Sequence, residues 1–154
     1  ERYQQAQTSP NIKNTSDLVS FVSTETEVLI PIVIGSTIQN IDLISHYFEG
    51  NFISGISEKS TLLETALLYL NTPYLWGGKT PFGIDSSGLT QMVYKINGYQ
   101  LLRTASQQAS QGEPLSFIEE SEAGDLAFFD NNDGVINHVG IIMQNNYVIH
   151  AQVM

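Results

Sequence analysis

The 154-residue chain has no cysteine, which excludes a disulfide framework and any thiolate metal site and leaves the redox compartment unreadable. Cations are nearly as scarce: six Lys and Arg stand against 16 Asp and Glu, for a formal net charge of −10. Such a field repels phosphate backbones and anionic lipid, which argues against sequence-independent binding of nucleic acid or membrane. A substrate carrying amines fits the balance better, although an acidic surface also simply solubilises. No apolar run approaches the roughly 18 residues a membrane span needs. No basic segment followed by an apolar stretch opens the chain, so no secretory leader is read there. What is present is 42% hydrophobic residues and 10% aromatics, enough for the packed core of one domain, or of a compact domain with a small appendage.

Residues 1–16 are polar and read as a loose leading segment. Residues 17–56 read as strands. Val28-Leu29-Ile30 and Ile32-Val33-Ile34 are β-branched-rich, and Pro31 between them predicts an edge or a bulge. Tyr47-Phe48 and Phe52-Ile53 around Glu49-Gly50-Asn51 predict a hairpin. This is too short for a sandwich, and a small, incomplete barrel-like appendage is the expectation. A helix follows, with Leu62, Leu63, Ala66, Leu67 and Leu70 on one face, Thr61 and Glu64 at capping-box spacing, and Pro73 as its stop. A second helix is predicted from Ser86, since Leu89, Met92, Val93 and Ile96 recur at helical spacing before Asn97-Gly98. Thr104 to Gln111 predicts a short polar helix closed by Gly112. Strands are then expected at Asp125–Phe129, Ile136–Met143 and Tyr147–His150. Helices first and an antiparallel sheet afterwards make residues 57–154 an α+β domain.

The stretch from Tyr74-Leu75-Trp76-Gly77-Gly78 to Gly83-Ile84-Asp85-Ser86-Ser87-Gly88-Leu89 is a Gly-rich loop that delivers Ser86 to the first turn of a helix. Unpaired N–H groups and the positive dipole end there favour an anion and brace a developing oxyanion. Asp85 is equally a plain N-cap, which its residue type favours. His138 and His150 fall on the two strands of a hairpin around Gln144-Asn145-Asn146. With a two-residue loop, His150 opposes Ile141 and points away from His138. With a three-residue loop and Asn146 in the left-handed position, it opposes Gly140 and the histidines become diagonal neighbours. A base oriented by a third polar group needs the second arrangement.

From about Ser60 to Ala151 these blocks, with Arg103-Thr104-Ala105-Ser106-Gln107-Gln108, Gly124-Asp125-Leu126-Ala127-Phe128-Phe129, His138-Val139-Gly140-Ile141 and Ile149-His150-Ala151, resemble the NlpC-type cell-wall cysteine peptidases, a branch of the papain-like superfamily. Residues 17–56 resemble part of a bacterial SH3-like domain, a frequent neighbour in that family. The resemblance implies a papain-like fold and hydrolysis of the γ-D-glutamyl bond to a diamino acid, meso-diaminopimelate or Lys, in peptidoglycan stem peptides. It implies no cofactor and no metal, and a place in the bacterial envelope, periplasmic or secreted, before the cytoplasm. It maps the nucleophile onto Ser86, the base onto His138, the orienting residue onto His150 and an oxyanion contributor onto Tyr74. Trp76, Asp85 and Ser87 map onto the substrate groove, where Asp85 would hold a free L-Ala amine.

The family's nucleophile is a cysteine, and here it is Ser86. A hydroxyl is far harder to deprotonate than a thiol, so binding is expected to survive while turnover falls steeply, as in an inactivated mutant. Three rivals stand beside this reading: a non-catalytic module that binds stem peptides, a serine hydrolase or acyltransferase using Ser86 and His138, and a metal site built from both histidines and a carboxylate. The metal site has neither an i, i+4 histidine pair nor a thiolate motif behind it.

Overall fold

The structure is a computed structural model and describes residues 12–153. Residues 1–11 of the leading segment lie outside the described residues. The rest of it is no loose segment: β1 (Lys13–Thr15) is a strand, with Asn14 and Thr15 buried. Thr15 is held from both sides, since its Oγ1 donates to Val33 O at 2.8 Å and accepts from Ser36 N at 3.2 Å.

The strands that follow are β2 (Val19–Thr24), β3 (Leu29–Val33), β4 (His46–Phe48) and β5 (Phe52–Ser54). β2 lies between β3 and β4 in one antiparallel sheet, and β1 pairs β5 in a second. Pro31 sits on β3, an edge strand, opposite Phe21, where its missing N–H costs no ladder bond. The hairpin predicted across Glu49-Gly50-Asn51 is not formed. β4 pairs β2 while β5 pairs β1, because Asp17 captures the connection: its carboxylate accepts from Asn51 N at 2.9 Å and Asn51 Nδ2 at 3.0 Å.

Helix α1 (Lys59–Leu67) differs from expectation at both ends. Its N-cap is Glu58, with no side-chain cap bond, so Thr61 and Glu64 lie inside the helix and make no capping box. The regular helix stops at Leu67. Tight turns then carry the chain through Asn71, at φ 66°, to Pro73. The buried face is Leu62, Thr65, Ala66 and then Tyr69, whereas Leu67 and Leu70 face solvent. The unwinding after Leu67 turns Tyr69 inward in place of Leu70.

Helix α2 (Ser86–Ile96) follows the sequence reading closely. Asp85 caps it, Asn97 ends it, Gly98 takes φ 87°, and Leu89, Met92, Val93 and Ile96 are buried. Between α1 and α2 a two-residue ladder, β6 (Lys79–Thr80) with β7 (Gly83–Ile84), folds the Gly-rich loop back on itself. Helix α3 (Ala105–Ala109) opens with a complete capping box from Thr104 and Gln107. The last sheet has β9 (Ile136–Ile142) between β8 (Leu126–Asp130) and β10 (Val148–Ile149), all antiparallel. Helices α2 and α3 both pack on β9. Val93 of α2 and Ile141 of β9, each fully buried, share one core cluster with Leu62 and Ile34. The protein is thus α+β, with helices packed on an antiparallel sheet, and Ile34 carries the N-terminal strands into the same core.

Candidate active site

Asp85 organises the site. Its Oδ1 caps α2 by accepting from Gly88 N at 2.6 Å, and its Oδ2 accepts from Gly77 N at 2.8 Å. Gly77 takes φ 81° to aim that N–H, a conformation few side chains permit. Gly78 O in turn accepts from Asp85 N at 3.2 Å. The approach is so close that a Cβ at Gly88 would lie 2.2 Å from Gly78 O. Gly88→Ala is therefore expected to lower stability by about 1–3 kcal/mol, read as a drop in urea midpoint with an unchanged slope. A midpoint equal to that of the parent would disprove the tight contact.

Arg103 completes the cradle. Its Nη1 and Nη2 donate to Asp85 Oδ1 at 3.1 Å and Oδ2 at 2.7 Å, a fork on a carboxylate whose residue is only 6% exposed. Nη1 also donates to Ser87 Oγ at 2.9 Å. Burial pushes the Asp85 carboxyl up, but Arg103 and the Gly88 and Gly77 amides together hold it below the usual carboxylate value. An ammonium reaching Asp85 would thus share a carboxylate that already holds a guanidinium. Gln108, 1% exposed, ties α3 to the same turn: its Nε2 donates to Ser87 O at 3.0 Å and Leu102 O at 2.9 Å, and its Oε1 accepts from Thr90 Oγ1 at 2.7 Å. Neither Arg103 nor Gln108 received a role from the sequence. The signal available was one of only two arginines, set directly before a capping box.

Ser86 is the first residue of α2, 8% exposed, and among the described residues its hydroxyl has no hydrogen-bond partner. Tyr74 is half-buried and strapped alongside by a parallel bridge to Ile84, with Leu75 N donating to Ile84 O at 3.0 Å. Trp76 stands 83% exposed on the same loop, beside exposed Leu75 in the chain, and Phe82 in the turn between β6 and β7 is exposed as well.

The histidines meet. Val148 pairs Ile142 and Ile149 pairs Ile141, so the register carries His150 to Gly140, the three-residue-loop arrangement. The left-handed residue is Asn145, at φ 60°, and not Asn146. Asn145 sits mid-loop, where reversing the chain between Met143 and Tyr147 requires it; Met143 N donates to Tyr147 O at 2.7 Å. Gly140 leaves the opening: a Cβ there would lie 3.1 Å from His150 Cβ and 2.4 Å from Val148 Cγ1. His138 Nε2 lies 3.0 Å from His150 Nδ1, with the rings edge to face. Phe129 flanks His138 at 5.6 Å between ring centroids.

Burial first, then the charge of His150, hold the His138 imidazole below its ordinary 6.5. The folded state then binds fewer protons than the unfolded chain near that pH. This contribution to stability is present above about 6.5 and drains away as pH falls through the folded value. A proton-NMR titration is expected to place His138 under 6.5 and to move it upward in His150→Ala; a midpoint at or above 6.5 in the parent would refute the arrangement. Among the described residues no three His, Cys, Asp or Glu side chains converge to hold a metal ion.

Ser86 thus stands at the start of a helix that packs on the strand carrying His138, which is itself paired with His150. The model of the NlpC/P60 family matches residues 71–154. The chain belongs to the NlpC/P60 family. Among curated NlpC/P60 relatives, a gamma-D-glutamyl-L-lysine dipeptidyl-peptidase of Bacillus subtilis is 37% identical over 92 residues, 58% of this chain and 31% of the relative. A dipeptidyl-peptidase 6 of Lysinibacillus sphaericus is 38% identical over 95 residues, 60% of this chain and 32% of the relative. The chain therefore spans about a third of the length of these curated relatives. Among solved structures, an NlpC/P60 protein from Bacillus cereus superposes over 93% of this chain and 55% of its own, with a TM-score of 0.75 at 21% identity, a likeness of fold alone. The NlpC/p60 domain of the peptidoglycan hydrolase SagA covers 63% of this chain and 82% of its own, with a TM-score of 0.56 at 35% identity.

Proposed function

We propose that residues 57–154 are the hydrolytic domain of a peptidoglycan stem-peptide peptidase of the bacterial envelope, carried here in a silenced serine form. The bond cleaved in the cysteine form is the γ-D-glutamyl link to a diamino acid, meso-diaminopimelate or Lys. The observation that carries the reading is the His138–His150 pair at 3.0 Å, with His138 on the strand against which the Ser86-bearing helix packs. The B. subtilis relative, a gamma-D-glutamyl-L-lysine dipeptidyl-peptidase by name, supports the bond and the acyl partner.

In the neutral tautomer that places a proton on His138 Nε2, that N–H donates to His150 Nδ1. Nδ1 of His138 is then the unprotonated nitrogen, free to take a proton from a nucleophile at position 86 and later return it to the leaving amine. His150 fixes both tautomer and ring orientation. The carbonyl carbon, attacked by a thiolate, becomes a tetrahedral oxyanion, which the unpaired amides at the start of α2 and the Tyr74 hydroxyl stabilise. Trp76 and Ser87 line the groove, and Asp85 with Arg103 supplies its polar floor. This chemistry calls for no cofactor. The partnerless hydroxyl of Ser86 favours one second reading, a module that holds stem peptides without cutting them.

The test is Ser86→Cys incubated with L-Ala-γ-D-Glu-meso-diaminopimelate and with the Lys analogue. Mass spectrometry is expected to show L-Ala-D-Glu and the free diamino acid. Binding without any product, from a folded protein, would replace the peptidase reading with the binding module.

A further inference from the structure

The exposed partner of the Asp85–Arg103 pair is the cation. The Arg103 side chain is 34% exposed and that of Asp85 only 9%. The carboxylate is also full. Its Oδ1 accepts from Gly88 N and Arg103 Nη1, and its Oδ2 from Gly77 N and Arg103 Nη2, against the roughly four lone-pair sites a carboxylate offers. An ammonium arriving there finds no open acceptor and meets a positive charge first. In a chain with a formal net charge of −10, the charge presented beside position 86 is therefore positive.

Arg103 itself keeps donors to spare. Nη1 uses both its N–H groups, on Asp85 Oδ1 and Ser87 Oγ, and Nη2 uses one, on Asp85 Oδ2. Nε–H and the outer N–H of Nη2 have no partner among the described residues. They lie side by side on one edge of the planar group, the spacing that a carboxylate accepts in two parallel bonds. Nε is open to solvent. The buried side-chain atoms without a partner among the described residues are Tyr69 Oη, Gln91 Oε1 and Asn97 Oδ1, and Arg103 Nε is not one of them. The guanidinium is also held in place, since Asp85 and Ser87, its two partners, are the neighbours of position 86. A side chain already fixed has little freedom left to lose when a ligand binds.

We propose that Arg103 selects the substrate: its open Nε–Nη2 edge takes a free carboxylate on the acyl side of the scissile bond, and the site asks for no ammonium at the peptide's N-terminus. The inference rests on the γ-D-glutamyl reading above. A γ-linked glutamyl residue keeps its α-carboxylate, one short aliphatic spacer from the carbonyl carbon that is attacked. A ligand held at position 86 therefore carries that carboxylate toward a guanidinium bonded to both neighbours of the position. The substrate class is a stem peptide whose D-Glu is not amidated. Its L-Ala nitrogen is free or acylated alike, so a peptide still joined through that nitrogen to more of the wall is taken as well as a released one.

The experiment is a calorimetric titration of the whole chain with L-Ala-γ-D-Glu-L-Lys, with its N-acetyl form and with its α-amidated D-isoglutamine form. Acetylation is expected to change Kd by less than about threefold, and amidation to raise it at least about tenfold. This comparison changes the ligand alone and needs no variant to fold. Arg103→Lys keeps a charge without a two-donor edge and should lose most of the difference between the free and amidated peptides. Amidation without effect would overturn the proposal, as would acetylation that weakens binding about tenfold or more. Ser86→Cys given the same three peptides separates the inference from the reading it rests on. Equal kcat/KM on all three ends the inference and leaves the peptidase. The expected order of binding without any cleavage ends the peptidase and leaves the inference. Neither binding nor cleavage by a folded chain ends both.

Discussion

Ser86→Cys is expected to raise turnover on the γ-D-glutamyl peptide by roughly 10³-fold or more over the parent, the scale on which a working nucleophile is lost or gained. The substitution changes one atom at the start of α2, and the surrounding frame is independent of it. Asp85, Arg103 and Gly77 hold one another through the Asp85 carboxylate, while His138 and His150 hold one another across the sheet. A thiol is deprotonated near its ordinary value of about 8.5, and a helix start lowers that further. A serine hydroxyl at the same place gains too little from the dipole to be deprotonated at neutral pH. Because burial and the charge of His150 keep His138 neutral to lower pH, the base form should persist below about pH 6.5 in the variant. The measurement is kcat for both proteins from the same preparation. Equal, substantial turnover by the parent would show Ser86 to be a competent nucleophile and end the silenced-form reading.

Arg103→Met is expected to cost about 3 kcal/mol of stability, the low end for breaking one side of a buried ion pair, because about a third of the Arg103 side chain is solvent-exposed. The loss comes from what is left behind: a buried carboxylate that keeps its two amide donors and loses its cation. The pH dependence supplies a sharper check. In the parent, the folded Asp85 carboxyl lies below its unfolded value of 3.8, so its contribution is present above about pH 4 and is lost as pH falls through the folded value. Without Arg103 the carboxyl loses its cation and moves up from its parent value, so this pH-dependent contribution shrinks although the Gly88 and Gly77 amides remain. Arg103→Lys keeps the charge without the fork and should fall between the two. Chemical denaturation at several pH values reads all three, and an Arg103→Met midpoint that tracks the parent at every pH would refute the clamp.

The α2 region was legible because several local signals agreed there. Asp85 as cap, apolar residues at helical spacing and Asn97-Gly98 as stop all specify one helix, and its packing on the sheet imposed no conflict. α1 was legible only in part. Its turn chemistry and the inward rotation of Tyr69 answer to a core assembled from Ile34, Leu62 and Ile141, which sequence spacing within one helix does not reveal. The false hairpin at residues 47–53 has the same origin: local turn residues were outvoted by Asp17, 34 residues away from Asn51. At the candidate site, the place of Ser86 at a helix start was readable from its cap and the apolar spacing, and the meeting of His138 and His150 from strand parity once the loop has three residues. Arg103 and Gln108 were not, since their roles consist of long-range hydrogen bonds to Asp85 and Ser87.

The turn between β9 and β10 acts as a parity switch on the site. Three residues, Gln144 to Asn146, bring His150 to Gly140 and within reach of His138. Adding or deleting one residue would turn every side chain of β10 to the opposite face and send His150 away from its partner, with no change to either histidine. Adding or deleting two would preserve the face. Loop length here is free to drift only in even steps, so a length polymorphism in an exposed turn carries the same weight as a substitution of the histidine itself.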